Sequence, residues 1–514
     1  MDKRTQFRLV LVLATAAALG FAYLRKAQVE SASEPLTSAS APTRATDGSL
    51  HYGALVFKPC ELAAPQTGAT TSAYCAPFRV PENWDAPDGR SIDLKLALLA
   101  STAAAPPADP VVLIAGGPGQ AATEAWPQQA AAFAPMRDKR NLILLDQRGT
   151  GGSNALTCAR SEDESDWASD PERVRAQTRA CLEKVSAHAD PRLYTTTMAL
   201  RDLEALRAAL GKPRFNLVGT SYGTRVAQQY AKTYPDAVRS VILDSAVPND
   251  NALGSDFAVN LDAALKAQFA VCAADATCAK AFGAPWANLE KLRARLRDKP
   301  VEVSYRDPVD NAQKTMRVDA GMLAALARMY AYMPETGALL PLAISRAVAG
   351  DYAPLAGQAQ MLGQLMKSLA DNAMQLSVIC SEDADRLVPN PADADTLLGA
   401  QFVDVLKAQC AIWPHGARPA DFNAPLTGDL PVLILGGEFD PVTPPRYAEA
   451  IAKTLPRGRV LIAKGQGHSV LGRGCLPKLA ARFVETRDAL ALDAACVGNF
   501  SPIPAFIDFS GAAP

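Results

Sequence analysis

The chain predicts an α/β fold: a mostly parallel, doubly wound sheet interrupted by an inserted, mainly helical cap domain. Three observations carry this. Short continuous apolar runs, such as Val111–Ala115, Asn141–Leu145 and Pro431–Leu435, read as strands buried on both faces. Stretches with helical spacing alternate with them, the rhythm of parallel strands joined by crossover helices. Between 251 and 424 that rhythm gives way to Ala- and Leu-rich helical patterns, and it resumes from 425 to 514.

The 514 residues are 49% hydrophobic and 20% charged, which suits a globular protein with ample core. Residues 1–26 begin with Lys3, Arg4 and Arg8, then run uncharged from Leu9 to Leu24. That pattern fits a cleaved signal peptide or an uncleaved N-terminal anchor, and membrane contact follows only from the second. Either way the body is expected to be exported, periplasmic or secreted. Setting aside the leader's net +4 leaves the remainder at about −5, with no basic footprint for nucleic acid.

Residues 27–50, rich in Ser, Ala, Thr and Pro, read as a linker. The first part of the core, 51–250, opens with candidate strands at Tyr74–Val80 and Ser91–Ala100. Pro77 marks the former as an edge strand. Apolar Leu200, Leu203, Leu206 and Leu210 keep helical spacing up to Gly211, which suits a helix C-terminus. Within the insert, Val301–Arg306 and Thr315–Val318 suggest a hairpin. The ten cysteines, an even count, agree with an oxidising compartment. Sequence leaves their connectivity open. Local pairing is expected: Cys60 with Cys75, Cys158 with Cys181, Cys272 with Cys278, Cys380 with Cys410, Cys475 with Cys496. With no C-x-x-C and four histidines, a metal site is disfavoured.

The chemistry centres on Gly219-Thr-Ser-Tyr-Gly223, between the apolar run Phe215–Val218 and a helical pattern. This G-x-S-x-G arrangement is a nucleophile elbow, a strand-to-helix turn too tight for a Cβ beside the serine. Serine needs a base, and the base an orienting acid. In chain order Ser, acid, His, each should follow a strand. Asp440 follows the run 431–435 and His468 the run 459–463. Glu438 is the alternative acid, though Asp440 sits better at the loop tip. His51, His188 and His415 fall outside that order and read as surface or packing residues. Asp146 and Asp244 also end strands, but too early in the chain, and read as turn residues. For the oxyanion, the Tyr222 amide follows the nucleophile, and Gly116-Gly-Pro-Gly119 offers a second donor, with Gly117 favoured over Gly116.

Together these residues resemble the proline iminopeptidase and tripeptidyl aminopeptidase group of α/β-hydrolases. The resemblance rests on Gly116–Gly119, Asp146–Ser153, Gly219–Gly223, Asp440–Pro444 and Gly467-His468, and extends from about residue 52 to about 507. The secreted tripeptidyl aminopeptidase-like branch is similar also in Tyr194-Thr-Thr, Cys380-Ser-Glu-Asp, Cys410-Ala-Ile-Trp-Pro and the C-terminal cysteines. One departure is Ala115, where smaller members carry histidine. The resemblance implies an α/β-hydrolase fold, a helical cap, and release of short N-terminal pieces from peptides.

An exopeptidase needs a carboxylate for the substrate's free α-ammonium, and Glu382, in the insert, is the candidate. A solvated acidic loop or helix cap is the alternative reading of that residue. The expected function is thus an exported serine exopeptidase acting through an acyl-enzyme on peptides with a free N-terminus. An esterase or lipase with the same triad is the alternative, and a binding domain on the same fold is disfavoured because the triad is complete. No metal or organic cofactor is implied.

Overall fold

Four-residue runs without a polar side chain, Val111–Ile114 and Leu142–Leu145, form fully buried strands. They lie within one sheet of eleven strands in the computed structural model, which describes residues 41–158, 171–368, 371–508 and 510–511. The expected leader, 1–26, lies outside the described residues.

In chain order the sheet strands are β1 (Thr43–Arg44), β2 (Leu50–Tyr52), β3 (Leu55–Ala63), β4 (Thr70–Pro81), β5 (Ser91–Leu99) and β6 (Val111–Ile114). They continue as β7 (Leu142–Leu145), β8 (Phe215–Thr220), β9 (Val238–Asp244), β10 (Val432–Gly437) and β11 (Gly458–Ala463). Across the sheet the order is 1-2-3-4-5-7-6-8-9-10-11. The first five strands are joined antiparallel, and β7 through β11 are parallel.

Helices cover both faces: α1 (Ala122–Arg137), α2 (Pro171–Ser186), α3 (Thr196–Ala209) and α4 (Tyr222–Thr233). Alternation along each strand divides the core. Val112 and Ile114 pack with Leu217, Val226 and Tyr230 on one face. Val111 and Leu113 pack with Trp126, Leu433 and Phe483 on the other. Burial on both sides is why these strands read as unbroken apolar runs.

The insert contains α5 (Phe257–Ala274), α6 (Ala276–Phe282), α7 (Pro285–Asp298), α8 (Ala320–Ala331), α9 (Pro334–Gly337), α10 (Leu340–Val348) and α11 (Ala353–Ser368). Then come α12 (Ala373–Glu382) and α13 (Gln401–Cys410). The expected hairpin is present, Val301–Arg306 pairing with Gln313–Val318. Helices α5, α7, α8, α10 and α11 share a core of their own, through Leu265, Leu289, Leu323, Ile344 and Leu355, while Cys278 and Phe282 of α6 pack with Cys272 and Leu342 in a smaller cluster. Helices α12 and α13 do not join it. Met374, Val378, Ile379, Val403 and Leu406 pack into the sheet's core instead. Each such burial is worth roughly 1.5–3 kcal/mol, enough to dock both helices on the sheet side. These two helices of the insert therefore pack with the sheet and not with the other helices of the insert.

Two other expectations change. Strand β4 is not an edge: β3 pairs with Thr70–Cys75 and β5 with Tyr74–Pro81. Pro77 is tolerated because the pairing of β3 with β4 ends at Lys58 and Cys75, so one flank there is unpaired. The last residues of the expected linker join the sheet, Thr43 and Arg44 pairing with His51 and Leu50. All five disulfides follow the local pairing expected, with Cys380–Cys410 clamping α12 to α13. After the insert, α14 (Pro445–Ala452) follows β10 and α15 (Leu476–Thr486) follows β11.

Candidate active site

Ser221 sits between β8 and α4 with φ 55° and ψ −124°, a conformation an L residue adopts only under constraint. The constraint is visible on both sides. A Cβ on Gly219 would strike the backbone of Gly223, and one on Gly223 would strike the carbonyls of Ile114 and Ala115 at the end of β6. The turn is pinned further by the Ser221 amide, which donates to the Asp244 carbonyl at 2.9 Å. The first turn of α4 presents amides without intrahelical acceptors beside the hydroxyl.

The loop after β6 passes close by. A Cβ on Gly116 would lie 3.0 Å from the Ser221 Cβ, so glycine lets this loop lean closely on Ser221. Gly117 has φ +106°, and a Cβ there would come within 2.6 Å of the Gly119 nitrogen. Gly116 is thus the loop residue that meets Ser221, with Gly117, one expected oxyanion donor, next to it in the chain, and Tyr222, the other, opens the helix after Ser221.

Asp440 and His468 are brought together as expected. Nδ1 of His468 lies 2.8 Å from Oδ2 and 3.0 Å from Oδ1 of Asp440. Asp440 is buried, and it also accepts from the amides of Val442 and Thr443 and from the Thr443 hydroxyl. Burial favours its neutral form, but the imidazole and these donors outweigh it and hold the carboxyl below its ordinary range. For His468 burial opposes the charged ring, yet Asp440, with Asp244 behind it, raises the pKa above the ordinary value. With Nδ1 engaged by the carboxylate, Nε2 is the ring nitrogen left to exchange a proton.

Ser221 follows β8 and His468 follows β11, with β9 and β10 between them. Asp244, at the end of β9, closes the gap. Its carboxylate accepts from the amides of Val470 and Leu471, and the Ser245 hydroxyl accepts from the Ser469 amide. The histidine loop is thereby sewn back over β9, beside the strand that carries Ser221. Burial, only partly offset by those amides, pushes the Asp244 carboxyl up to about 6. Among the described residues no hydrogen bond joins Ser221 Oγ to His468 Nε2. Catalytic bonds of this kind are commonly long without substrate and tighten in the complex.

Glu382 is a correction. Expected at a substrate pocket, it is fully buried at the end of α12. Its Oε1 accepts from the Thr196 amide at 2.6 Å and its Oε2 from the Thr196 hydroxyl at 3.0 Å. That hydroxyl also meets the Tyr222 hydroxyl at 2.6 Å. Arg225 pairs with Asp383 at 2.7 Å and lies 3.8 Å from Glu382. The carboxylate is spent inside the protein because α12 docks on the sheet's core, not on the cap. Burial first, then Asp383, pushes its carboxyl up to about 7 against the pull of Arg225 and Thr196.

Asp146 is likewise internal, accepting from the amide and hydroxyl of Thr123 and from the Gly152 amide. Glu438 accepts from the Gly465 amide, so Asp440 is the acid that faces the imidazole. His415 lies 2.7 Å from the Cys410 carbonyl, a packing role as expected. Sequence reasoning missed Tyr332, just past α8, whose ring meets the His468 ring edge to face. Its only sequence signal was its place at the end of a helical pattern.

The model of the alpha/beta hydrolase fold matches residues 109–473. Serine protease Hip1 of Mycobacterium tuberculosis is 27% identical over 456 residues, covering 81% of this chain and 86% of its own. Tripeptidyl aminopeptidase of Streptomyces lividans is 27% identical over 191 residues, covering 34% of this chain and 35% of its own. A crystal structure of proline iminopeptidase from Mycobacterium smegmatis is similar at 16% identity and a TM-score of 0.37, over 81% of this chain and all of that one. The two curated relatives are named as a serine protease and an aminopeptidase, and the chain belongs to the α/β-hydrolase fold family.

Proposed function

We propose that the protein is an exported serine exopeptidase that removes residues or short peptides from the N-terminus of peptides. The observation that carries the catalytic part is the buried Asp440–His468 pair, held over the end of β9 beside the strained Ser221. Ser221 Oγ attacks the scissile carbonyl carbon while His468 Nε2 takes its proton. The tetrahedral oxyanion is held by the amides of Gly117 and Tyr222. As the C–N bond breaks, His468 returns the proton to the leaving amine and an acyl-enzyme remains. Water, deprotonated by the same nitrogen, then releases the acid and restores Ser221. Asp440 holds the imidazole in the required tautomer throughout.

The exopeptidase part is supported by the similarity to a tripeptidyl aminopeptidase, and export by the leader and five disulfides. The test compares hydrolysis of one peptidyl chromogenic substrate with a free amine, its N-acetylated form, and a simple ester. The free-amine form should be cleaved far faster than the blocked one. Equal rates on the two would remove the exopeptidase reading, and turnover of the ester alone would make the protein an esterase.

A further inference from the structure

Helix α8 ends against the catalytic histidine, and one turn earlier it carries a cation with no anion among the described residues. The Arg328 guanidinium lies 5.0 Å from the ring centre of Phe257 and 4.8 Å from that of Phe402. Those two rings are themselves 5.4 Å apart. All three side chains are only half-buried. Among the described residues Arg328 makes no hydrogen bond and no ion pair, although its two aromatic contacts fix where the planar group stands. A fixed guanidinium with its N–H groups unspent is the geometry that recognises a carboxylate. The acids nearest it in sequence are engaged elsewhere, Asp319 by the Met322 amide and Glu335 by Arg473, and Asp256, beside Phe257, is engaged by the Tyr447 hydroxyl and Asn251.

Its position relative to the site follows from the helix. Arg328 and Tyr332 are four residues apart, so they share one face about 6 Å along the axis. Tyr332 touches His468 through both its ring and its carbonyl. On the other flank, Asn260, one turn after Phe257, donates to the Val442 carbonyl in the Asp440 loop. Both elements that frame Arg328 therefore rest on residues of the triad's loops. Gly254, with φ +100°, leaves the room Phe402 needs, since a Cβ there would lie 3.2 Å from its ring.

We propose that Arg328 binds a carboxylate of the substrate, beside the catalytic site. This rests on the peptidase reading for what the ligand is, not for the presence of the site. The carboxylate has two sources in a peptide: an acidic side chain, or the C-terminal carboxylate of a short substrate.

The test measures binding by titration calorimetry to the full chain carrying Ser221→Ala, so that no turnover intervenes. Four probes are used: Ala-Ala-Ala-Ala as the acid and as its amide, and Ala-Ala-Glu-Ala-amide with its Gln counterpart. In one of the two pairs the acid should bind about 10- to 100-fold tighter, as a charge-assisted contact would give. Adding Arg328→Gln should abolish that difference, and Arg328→Lys should retain part of it. The pair affected identifies the source. The proposal is overturned if neither pair differs, if the difference survives Arg328→Gln, or if that change weakens all four probes alike, which would make Arg328 a packing residue. Should Arg328→Gln fail to fold, the acid–neutral comparison with Arg328 intact and with Arg328→Lys still decides. A carboxylate preference in a protein whose Ser221 form cleaves none of these peptides would sink the peptidase reading and leave this site standing.

Discussion

The carbonyl of Tyr332 accepts a hydrogen bond from the His468 amide at 2.8 Å, and the two rings meet at 71° with centres 5.2 Å apart. Gly467 has no Cβ because that atom would collide with the same carbonyl. Tyr332 thus holds His468 by its backbone and its ring. Tyr332→Ala should lower kcat by about tenfold with a smaller change in KM, because a loosened imidazole is wrong for proton transfer more than for binding. Tyr332→Phe keeps the ring and should stay within about twofold of the parent. Steady-state kinetics on both variants checks this, and equal losses in the two would assign the effect to the hydroxyl instead.

His468 has to be neutral to accept the serine proton. Asp440 raises its pKa above the ordinary value of about 6.5 despite burial. The acid limb of kcat/KM should therefore lie above pH 6.5, with activity rising as pH passes it. Asp440→Asn should move that limb down and cut kcat by about 10⁴, since the amide holds the wrong tautomer. A pH–rate profile of the two proteins measures both effects.

Glu382 gives a stability prediction with the opposite use of pH. Its folded carboxyl is raised to about 7, chiefly by burial, above the unfolded value of 4.5. The folded state therefore holds a proton the unfolded chain releases. The stability this contributes is complete below pH 4.5 and is lost as pH rises through about 7. The loss is roughly 3 kcal/mol for a shift of this size. Glu382→Gln should flatten the fall in Tm between pH 5 and pH 8, read by thermal melts in matched buffers. An unchanged slope would show that another group carries it.

Gly117→Ala tests the oxyanion loop. Its φ of +106° and the close Gly119 nitrogen leave no place for a methyl group, so the loop must shift away from Ser221. A fall in kcat of about 10²–10³ is expected, the size of losing one oxyanion donor, with little change in Tm. Kinetics and a melt on the same preparation separate this from general unfolding.

The placement of Ser221, Asp440 and His468 at strand ends was legible because each lies in a local pattern, an apolar run followed by a loop with a fixed chemical content. The five disulfide pairs were legible for the same reason, short separation along the chain. Glu382 was misplaced because α12 has an apolar face that fits a cap or a core equally well, and only long-range packing decides. Asp244 was read as a turn residue, and its grip on the Val470 and Leu471 amides joins positions more than two hundred residues apart. Tyr332 and Arg328 are helical positions with no local mark at all. Proline in β4 suggested an edge, and what overrode it was the pairing of β3 with Thr70–Cys75, which ends before Pro77 and which no pattern within β4 records.

The most direct measurement is labelling of the purified protein by a serine-reactive phosphonate, with peptide hydrolysis and Tm recorded in parallel. The parent should incorporate about one equivalent and lose activity in proportion, as one nucleophile per chain requires. Ser221→Ala should neither label nor cleave while melting within a few degrees of the parent. Continued hydrolysis, or labelling mapped to another residue in the folded variant, would contradict the triad at 221, 440 and 468.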